Sequence, residues 1–294
     1  MPIWKRRLRS AASRIWPVRT SIRLTGSPAD FVLNALAAGE EITVPVLVVA
    51  AHPDDEAIGI GARMRQLRDL TLLHVTNGAP DRAGARLAGF PDAASYGAAR
   101  FVELERVLAI LQVQGAHRRT LNLIDGTLEQ HLDELVSHLT DELSGKAAVI
   151  THAYEGGHPD HDACAFAVQM ACSRLARSGP APLRLEYTGY HSYRGDRRVG
   201  TFWPEPGTST AVVRLSSQER RIKRAAYAAY ESQAWIQSVF PVDRETYRTA
   251  PQYDFTRPPA PGAWLYDTFG WEMKGATWLE CAKEALRRES QPLR

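Results

Sequence analysis

The chain has 294 residues, of which 44% are hydrophobic and 23% charged, and its formal net charge is +3. This composition is typical of a globular protein, and so small a charge argues against nucleic acid as a partner. The three cysteines, Cys164, Cys172 and Cys281, have no paired spacing, which argues against a disulfide framework. No apolar stretch approaches the roughly 20 residues of a membrane-spanning helix, and the N-terminus lacks the apolar core of a secretory signal. We therefore expect a cytoplasmic protein, whose oligomeric state the sequence does not indicate.

Residues 1–25 form a basic amphipathic segment. They include seven Lys or Arg and no acid, and Trp4 and Trp16 share one apolar helical face. This pattern favours peripheral contact with the inner face of a membrane. It also fits a helix packed on its own domain or a tail. We expect a single domain over residues 26–294, beginning with a short helix at 27–41.

The stretch at residues 46–62 organises the predicted domain. An apolar, β-branched run leads into the sequence HPDDE at 52–56, and Gly59 and Gly61 follow. This pattern predicts a buried parallel strand, a turn and a helix start. Open α/β sheets bind their ligands at the carboxyl ends of such strands. The three acids also fit a simpler interpretation, in which they complement the positive end of a helix.

Several elements separate this motif from the next one. The sequence predicts a strand at 71–76, a helix at 96–114, a weak strand at 121–124 and a helix at 128–143. The polar, glycine-rich segment at 79–95 is interpreted as an irregular loop. Because long loops beside strand ends are often functional, we expect this loop to act as a substrate lid.

A second motif repeats the chemistry of the first. The apolar run at 147–151 predicts another buried strand, which leads into HAYEGGHPDHD at 152–162 and a helix from 160 to about 177. Two strand ends about a hundred residues apart thus carry His and Asp side chains that a packed core does not need. Zinc in a hydrolase usually has three His, Asp or Glu ligands and one open position. The two motifs together predict such a site.

These motifs resemble those of the PIG-L/LmbE family of zinc-dependent N-deacetylases, which act mainly on N-acetylglucosamine derivatives. The resemblance covers most of the chain. It implies that His52, Asp55 and His161 bind zinc.

The resemblance also implies the catalytic groups. Asp54 matches the general base that takes a proton from the attacking water. His158 matches the residue that stabilises the oxyanion, for which it would be protonated, and that protonates the leaving amine. Asp160 is interpreted as a carboxylate that orients His158.

Three further residues are candidates for substrate binding. In the family, an Arg and an Asp at the positions of Arg100 and Asp125 contact the sugar. As residues alone, Arg100 also fits a surface ion pair, and Asp125 with Gly126 fits a turn. Some members have a Tyr two residues before the second motif; here that position is Gly156, and Tyr154 is the nearest tyrosine.

Aromatic residues after the second motif are candidates for stacking on a sugar. Tyr227, Tyr230 and Trp235 lie in a predicted helix, where core packing also accounts for them. Trp203 lies in an aromatic loop broken by glycine and proline. One of these four residues is expected to provide the platform, and the sequence does not choose among them.

Alternating strand and helix patterns predict an α/β fold. Strands at 184–190 and 211–215, a helix at 216–240 and a closing helix at 274–288 continue the alternation. We expect a Rossmann-like, mostly parallel sheet with helices on both faces and the site at the carboxyl ends of the strands. No GxGxxG motif follows the first strand, which argues against a dinucleotide-binding protein.

The sequence thus predicts a zinc-dependent hydrolase that removes the N-acetyl group from an N-acetylglucosamine-type amino sugar or glycoconjugate. One alternative is an amidase that cleaves a larger sugar amide or a thiol-sugar conjugate. Another is a non-catalytic carbohydrate-binding protein on the same scaffold. The sugar itself is not identified, although the basic N-terminal segment favours a lipid-linked or envelope glycan.

Overall fold

The computed structural model describes residues 27–80, 82–113, 115–259 and 264–290. The basic segment predicted at residues 1–25 lies outside this part of the chain. Among the described residues, no helix combines the length and the apolar character needed to cross a membrane.

The centre of the fold is a seven-stranded sheet. The strands of the described chain are β1 (Ile42–Ala50), β2 (Leu67–Thr76), β3 (His117–Leu123), β4 (Ala148–His152), β5 (Leu183–Tyr187), β6 (Tyr190–Tyr193), β7 (Asp196–Val199), β8 (Thr210–Arg214) and β9 (Arg244–Thr249). The sheet has the order β3–β2–β1–β4–β5–β9–β8, and β6 pairs separately with β7. Neighbours among β1 to β5 are parallel, whereas β8 and β9 are antiparallel. The predicted α/β fold with a mostly parallel sheet is confirmed.

The strand order reverses between β1 and β4. From β1 the chain continues outward through β2 and β3, and it then returns to place β4 on the other side of β1. Val46 is in register with Ala148, and Val48 with Ile150, so the two strands end side by side. The two sequence motifs follow these strands and therefore meet at the switch point, where α/β sheets bind ligands.

Helices cover both faces of the sheet, as predicted. The α-helices of the described chain are α1 (Pro28–Ala38), α2 (Asp55–Gly59), α3 (Arg82–Leu87), α4 (Ala93–Ile110), α5 (Leu132–Leu143), α6 (Pro159–Ala176), α7 (Ser217–Ala229), α8 (Ile236–Val239) and α9 (Gly275–Glu289). Alternate side chains of β1 face opposite cores. Val46 and Val48 pack with α1, α4 and α7, while Leu47 and Val49 pack with α5, α6 and α9. β1 is therefore buried on both sides, which is why its sequence is a continuous apolar run.

Local side-chain chemistry sets the ends of two helices. Ser27 caps α1, because its side chain accepts from the backbone N of Asp30 while the Asp30 carboxylate accepts from the backbone N of Ser27. Gly39, with φ 70°, ends the helix in the left-handed conformation. Ser216 and Glu219 form the same capping box at the start of α7.

The segment at 79–95 differs from the prediction of an irregular loop. It contains α3, and α4 begins within it at Ala93. Asp92 caps α4 by accepting from the backbone N of Ser95 at 2.7 Å. The ring of Phe90 stacks on Tyr96, with 4.5 Å between centroids. Short helix–cap interactions therefore order a segment whose composition resembles that of a loop.

Strand β9 is absent from the sequence prediction. Its sequence, RETYRT, contains three charged residues and lacks the apolar pattern of a buried strand. In the fold it lies between β5 and β8. Glu245 and Arg248 are buried in ion pairs with Lys223 and Glu186, respectively. The charged residues of β9 predict an exposed segment. The strand is nevertheless buried, because residues distant in sequence neutralise these charges.

Candidate active site

The first motif forms a tight turn between β1 and α2. The backbone N of His52 donates to Asp55 Oδ2 at 2.8 Å. Asp54 has φ 145° and ψ −29°, a conformation that residues other than glycine rarely adopt and that costs roughly 1–3 kcal/mol. The turn places the side chains of His52, Asp54 and Asp55 on one cavity.

The third acid of this motif holds the turn from behind. Glu56 is fully buried, and its Oε2 accepts from the backbone N of Asp54 at 3.0 Å. The same oxygen lies 3.0 Å from His74 Nε2, and the hydroxyl of Tyr230 donates to Oε1. Glu56 therefore fixes the strained backbone of Asp54, a role that the sequence interpretation as a helix-end acid missed. The available signal was the polar His74, which lies between the apolar residues Leu73 and Val75 of β2.

Two glycines shape the loop that follows β4. Gly156 has φ 67°, in the region that favours glycine. A Cβ at Gly157 would lie 1.8 Å from the carbonyl oxygen of Tyr190, so no side chain fits there. The loop ends at His158, whose Nδ1 accepts from the backbone N of Asp160 at 3.1 Å. It thereby brings the start of α6 to the end of β1.

His52, Asp55 and His161 converge at the junction of the two motifs. Asp55 Oδ2 lies 3.1 Å from His52 Nδ1, and Asp55 Oδ1 lies 3.2 Å from His161 Nε2. All three are buried, and one potential ligand atom from each lies within 4.8 Å of the others. Burial opposes ionisation, but His161 and His152 hold the pKa of Asp55 well below its usual range. Two imidazoles and a carboxylate at this spacing fit a divalent metal ion such as zinc.

Asp125 and Asp160 contact the other nitrogen of His52. Asp125 Oδ1 and Asp160 Oδ2 each lie 3.1 Å from His52 Nε2. Asp160 Oδ2 also accepts from the backbone N of Gly126 at 2.7 Å. The Asp160 carboxylate thus orients His52, whereas the sequence interpretation assigned it to His158. The difference arises because Asp160 lies in the first turn of α6, where its side chain reaches the 126–128 turn and only its backbone N reaches His158.

Arg100 is a buried partner of Asp54. Its Nη2 lies 3.1 Å from Asp54 Oδ2, its Nη1 donates to the carbonyl oxygen of Gly78 at 2.7 Å, and Nη2 also donates to Pro53. Arg100 therefore forms an ion pair, as the alternative interpretation expected. The pair is buried, because Arg100 is only 3% exposed. Burial raises the pKa of Asp54 to about 8, although the Arg100 guanidinium opposes the shift.

The protonation state of His158 differs from the sequence expectation. Burial, together with His52, lowers the pKa of His158 to about 3, so the imidazole is neutral near pH 7. Because Nδ1 accepts from the backbone N of Asp160, the ring proton is on Nε2. A neutral His158 can therefore still donate one hydrogen bond to a developing oxyanion.

A cavity of about 220 Å³ contains most of these groups. We call its polar part the floor, which consists of His52, Asp54, Asp55, Arg100, Asp125, His158 and His161. We call most of its apolar part the aromatic rim, which consists of Tyr190, Trp235, Val239, Phe240, Phe269 and Trp271. Ile58, Arg197 and Gln233 complete the lining. Seven of the nine site residues predicted from the sequence form the floor, and Asp160 lies directly behind it.

Comparison with known families agrees with this geometry. The model of the PIG-L family, described as GlcNAc-PI de-N-acetylase, matches residues 47–172, which include both motifs. This match supports the resemblance to the PIG-L/LmbE family that the two motifs predict.

Two curated relatives are similar to part of this chain. A probable N-acetyl-alpha-D-glucosaminyl L-malate deacetylase 2 of Bacillus subtilis is 27% identical over 136 residues, which are 44% of this chain and 61% of the relative. The 1D-myo-inositol 2-acetamido-2-deoxy-alpha-D-glucopyranoside deacetylase of Gordonia bronchialis is 28% identical over 240 residues, 65% of this chain and 84% of the relative. The chain thus spans less than two thirds of the length of the first relative.

Solved structures share the fold of this chain. The zinc-inhibited form of teicoplanin deacetylase Orf2 has a TM-score of 0.51 at 17% identity, over 71% of this chain and 99% of its own. The A40926 pseudoaglycone deacetylase Dbv21 has a TM-score of 0.53 at 17% identity, over 72% and 99%. At these identities the likeness concerns the fold.

Tyr154 does not reach the cavity. Its ring packs against Phe255 and Trp278, with centroids 4.7 and 5.2 Å away. Its hydroxyl donates to the carbonyl oxygen of Arg257 at 2.9 Å. The backbone after β4 turns this side chain into the core beneath α9, so the structure does not bring it to the other predicted site residues.

His152 is a site residue to which the sequence analysis assigned no role. It is the last residue of β4, and its ring stacks on His161 with 3.9 Å between centroids. Its Nε2 accepts from the backbone N of Ala51 at 3.0 Å and lies 2.9 Å from the Tyr187 hydroxyl. His152 thus holds the ring of His161 in place. A histidine that directly ends a buried strand was the signal for this role.

One of the four candidate aromatic platforms lines the cavity. Tyr227 and Tyr230 are buried in the core, and Trp203 lines a different cavity. Trp235 lines the cavity described above and is 47% exposed. Trp271, which the sequence analysis did not single out, lines the same cavity and is 40% exposed.

Proposed function

We propose that this chain is a zinc-dependent deacetylase that removes the N-acetyl group from an N-acetylglucosamine-type amino sugar or glycoconjugate. The observation that carries the proposal is the convergence of His52, Asp55 and His161 beside Asp54 and His158 in one cavity. The family match and the names of the two curated relatives, both deacetylases of N-acetylglucosamine conjugates, support it.

In this proposal His52, Asp55 and His161 hold the zinc ion, and Asp160 orients His52. Zinc in such a site supplies Lewis-acid activation of the acetyl carbonyl and of the attacking water. His152 keeps the His161 ring in position by stacking on it.

Asp54 acts as the general base in its ionised form, and because burial raises its pKa to about 8, the population of this form grows as the pH rises toward 8. Glu56 holds its backbone and Arg100 holds its carboxylate, so the base is positioned before substrate binds. As the water attacks the acetyl carbon, its proton passes to the Asp54 carboxylate. When the C–N bond breaks, the amine of the sugar takes from Asp54 the proton that came from the water and leaves, and acetate is the second product. The sequence analysis also considered His158 as this proton donor, but a neutral His158 has only the Nε2 proton that it donates to the oxyanion.

His158 stabilises the oxyanion by donating from Nε2. Asp125 lines the floor with a side chain that is 19% exposed, and we propose that its free carboxylate oxygen accepts from a sugar hydroxyl. Arg100 uses its guanidinium on Asp54, Gly78 and Pro53, so its proposed part in substrate binding is to shape the floor around the sugar.

The test combines metal content with acetate release from a panel of N-acetylglucosamine conjugates. We expect about one zinc per chain, lost in His161→Ala because a ligand is removed. Asp54→Ala should keep its zinc and lose roughly 10²-fold or more in kcat. Asp69→Ala provides a matched control, since Asp69 is exposed on β2 and does not line the cavity.

Three results would contradict the proposal or one of its assignments. If the chain holds no zinc after reconstitution, the non-catalytic carbohydrate-binding hypothesis is favoured over the deacetylase. Near wild-type turnover of Asp54→Ala would refute the assignment of the base. Release of a larger acid from acylated amino sugars, with no acetate from any substrate, would instead identify an amidase.

A further inference from the structure

The cavity is small for a glycoconjugate. Its volume of about 220 Å³ lies below the roughly 300–1,000 Å³ that is usual for small-molecule sites. One amino-sugar unit on the floor would take up most of this space. Whatever is attached to that sugar must therefore lie along the aromatic rim.

One row of aromatic rings leads away from His158. The Trp271 ring lies edge-on to His158, with 5.1 Å between centroids. Phe269 continues the row at 5.0 Å from Trp271. This row thus begins at a proposed catalytic residue and ends in side chains that solvent reaches.

A second row leads away from His161. Tyr190 lies 5.8 Å from His161, Phe240 lies 5.9 Å from Tyr190, and Trp235 lies 5.8 Å from Phe240, measured between ring centroids. The end of this row is anchored, because Trp235 Nε1 donates to Gln233 Oε1 at 2.9 Å. An anchored ring loses little conformational freedom when a ligand covers it.

The exposure of these two tryptophans sets them apart. Five large hydrophobic side chains of the described chain are strongly exposed: Val102, Ile124, Val212, Trp235 and Trp271. Of these five, Trp235 and Trp271 line the cavity. Trp235 ends one of the two aromatic rows that begin at the floor, and Trp271 is the first ring after His158 in the other. Exposed apolar surface concentrated beside a polar site marks a ligand-binding surface. Arg197 is the charged residue that lines the cavity outside the floor, so this surface is mainly apolar.

We propose that Trp235 and Trp271 bind an apolar aglycone, an aromatic or alkyl group attached to the amino sugar. The substrate class is then an N-acetylglucosamine conjugate with an apolar aglycone rather than the free sugar. This inference rests on the proposed function, because the amino sugar has to occupy the floor for its aglycone to reach the rim.

The test compares three substrates that differ only in the aglycone, namely the methyl, phenyl and hexyl glycosides of N-acetylglucosamine. Acetate release gives kcat and KM for each on the zinc-loaded, full-length protein. Burial of a phenyl or hexyl group against two tryptophans should raise kcat/KM roughly ten-fold over the methyl glycoside, mainly through KM. A gain with phenyl alone identifies a flat aromatic aglycone, and a gain with both identifies a general apolar one.

Variants assign the gain to the two tryptophans. Trp235→Ala and Trp271→Ala should each lower the ratio of kcat/KM between the phenyl and methyl glycosides toward one. Trp235→Phe and Trp271→Phe should keep most of it, because phenylalanine retains an aromatic face. Val102→Ala is the matched control, since Val102 is 51% exposed and lies outside the cavity, and it should leave the ratio unchanged.

Calorimetric binding of the phenyl glycoside separates this proposal from the proposed function. Equal kcat/KM for all three glycosides would refute the aglycone site and leave the deacetylase intact. If no glycoside releases acetate, but the phenyl glycoside binds and Trp235→Ala abolishes binding, the deacetylase fails and the aglycone site stands. Binding that neither tryptophan variant weakens would refute the aglycone site in either case.

Discussion

Replacing Glu56 with alanine should destabilise the fold and disturb the turn that carries Asp54. The buried Glu56 carboxylate accepts from the backbone N of Asp54, faces His74 Nε2 at 3.0 Å, and accepts from the Tyr230 hydroxyl. Alanine would leave all three groups buried without an acceptor. It would also remove the hydrogen bond that holds Asp54 at φ 145°.

The magnitude follows from the number of groups left unpaired. Each buried donor without a partner costs roughly 1–3 kcal/mol, so three cost roughly 3–9 kcal/mol. Because water can enter the vacated volume and satisfy some of them, we expect a loss near the lower end, about 3 kcal/mol. Such a loss is a large part of a stability of roughly 5–15 kcal/mol. Glu56→Gln keeps one carbonyl acceptor and can donate its amide to the Tyr230 oxygen, so about 1 kcal/mol is expected.

Urea unfolding followed by circular dichroism measures these differences. Glu40→Ala is the control, since Glu40 is exposed and should change stability by less than about 0.5 kcal/mol. Combining Glu56→Gln with Tyr230→Phe in a double-mutant cycle should show coupling, because the two side chains share a hydrogen bond. The reasoning fails if Glu56→Ala unfolds at the wild-type urea concentration, or if the glutamine variant loses as much as the alanine variant.

Two further predictions concern other charged groups. Lys223→Met should cost about 3 kcal/mol in thermal unfolding, because it leaves the buried Glu245 carboxylate without its counter-ion. Adding Glu245→Gln should recover part of that loss, and a double variant less stable than Lys223→Met would contradict this account. Although burial favours the neutral acid, hydrogen bonds from Ser216 and Arg63 lower the pKa of Glu219 from 4.5 to about 2. The contribution of Glu219, about 1 kcal/mol, is therefore complete above pH 4.5 and lost as the pH falls toward 2. Glu219→Gln should reduce this slope of stability against pH, measured by urea unfolding between pH 5 and 3, and an unchanged slope would contradict the assignment.

Local sequence was sufficient for the elements that carry the site. β1 and β4 are buried on both faces of the sheet, so their sequences are continuous apolar runs. Such a run can be recognised as a strand without knowing which distant residues pack against it. The two motifs follow these strands directly. Parallel neighbouring strands bring their carboxyl ends together, and the predicted meeting of His52, Asp55 and His161 follows from that geometry.

Elements stabilised by distant partners were not predictable in this way. The polar strand β9 can be buried because Glu245 and Arg248 form ion pairs with residues of α7 and β5. The helix predicted to reach residue 240 ends at Ala229, after which Tyr230 donates its hydroxyl to Glu56. In both places a contact across the fold outweighs the local pattern.

The sequence by itself thus determined the fold class, the two motifs and the kinds of side chain that meet at the switch point. Only the tertiary structure decided which atoms meet: the Asp160 carboxylate contacts His52, Arg100 is buried against Asp54, and Tyr154 points into the core. It also placed Trp235 and Trp271 at one cavity. The reason is physical, because periodicity reports which face of an element is buried, whereas a contact between two side chains depends on how distant elements pack together.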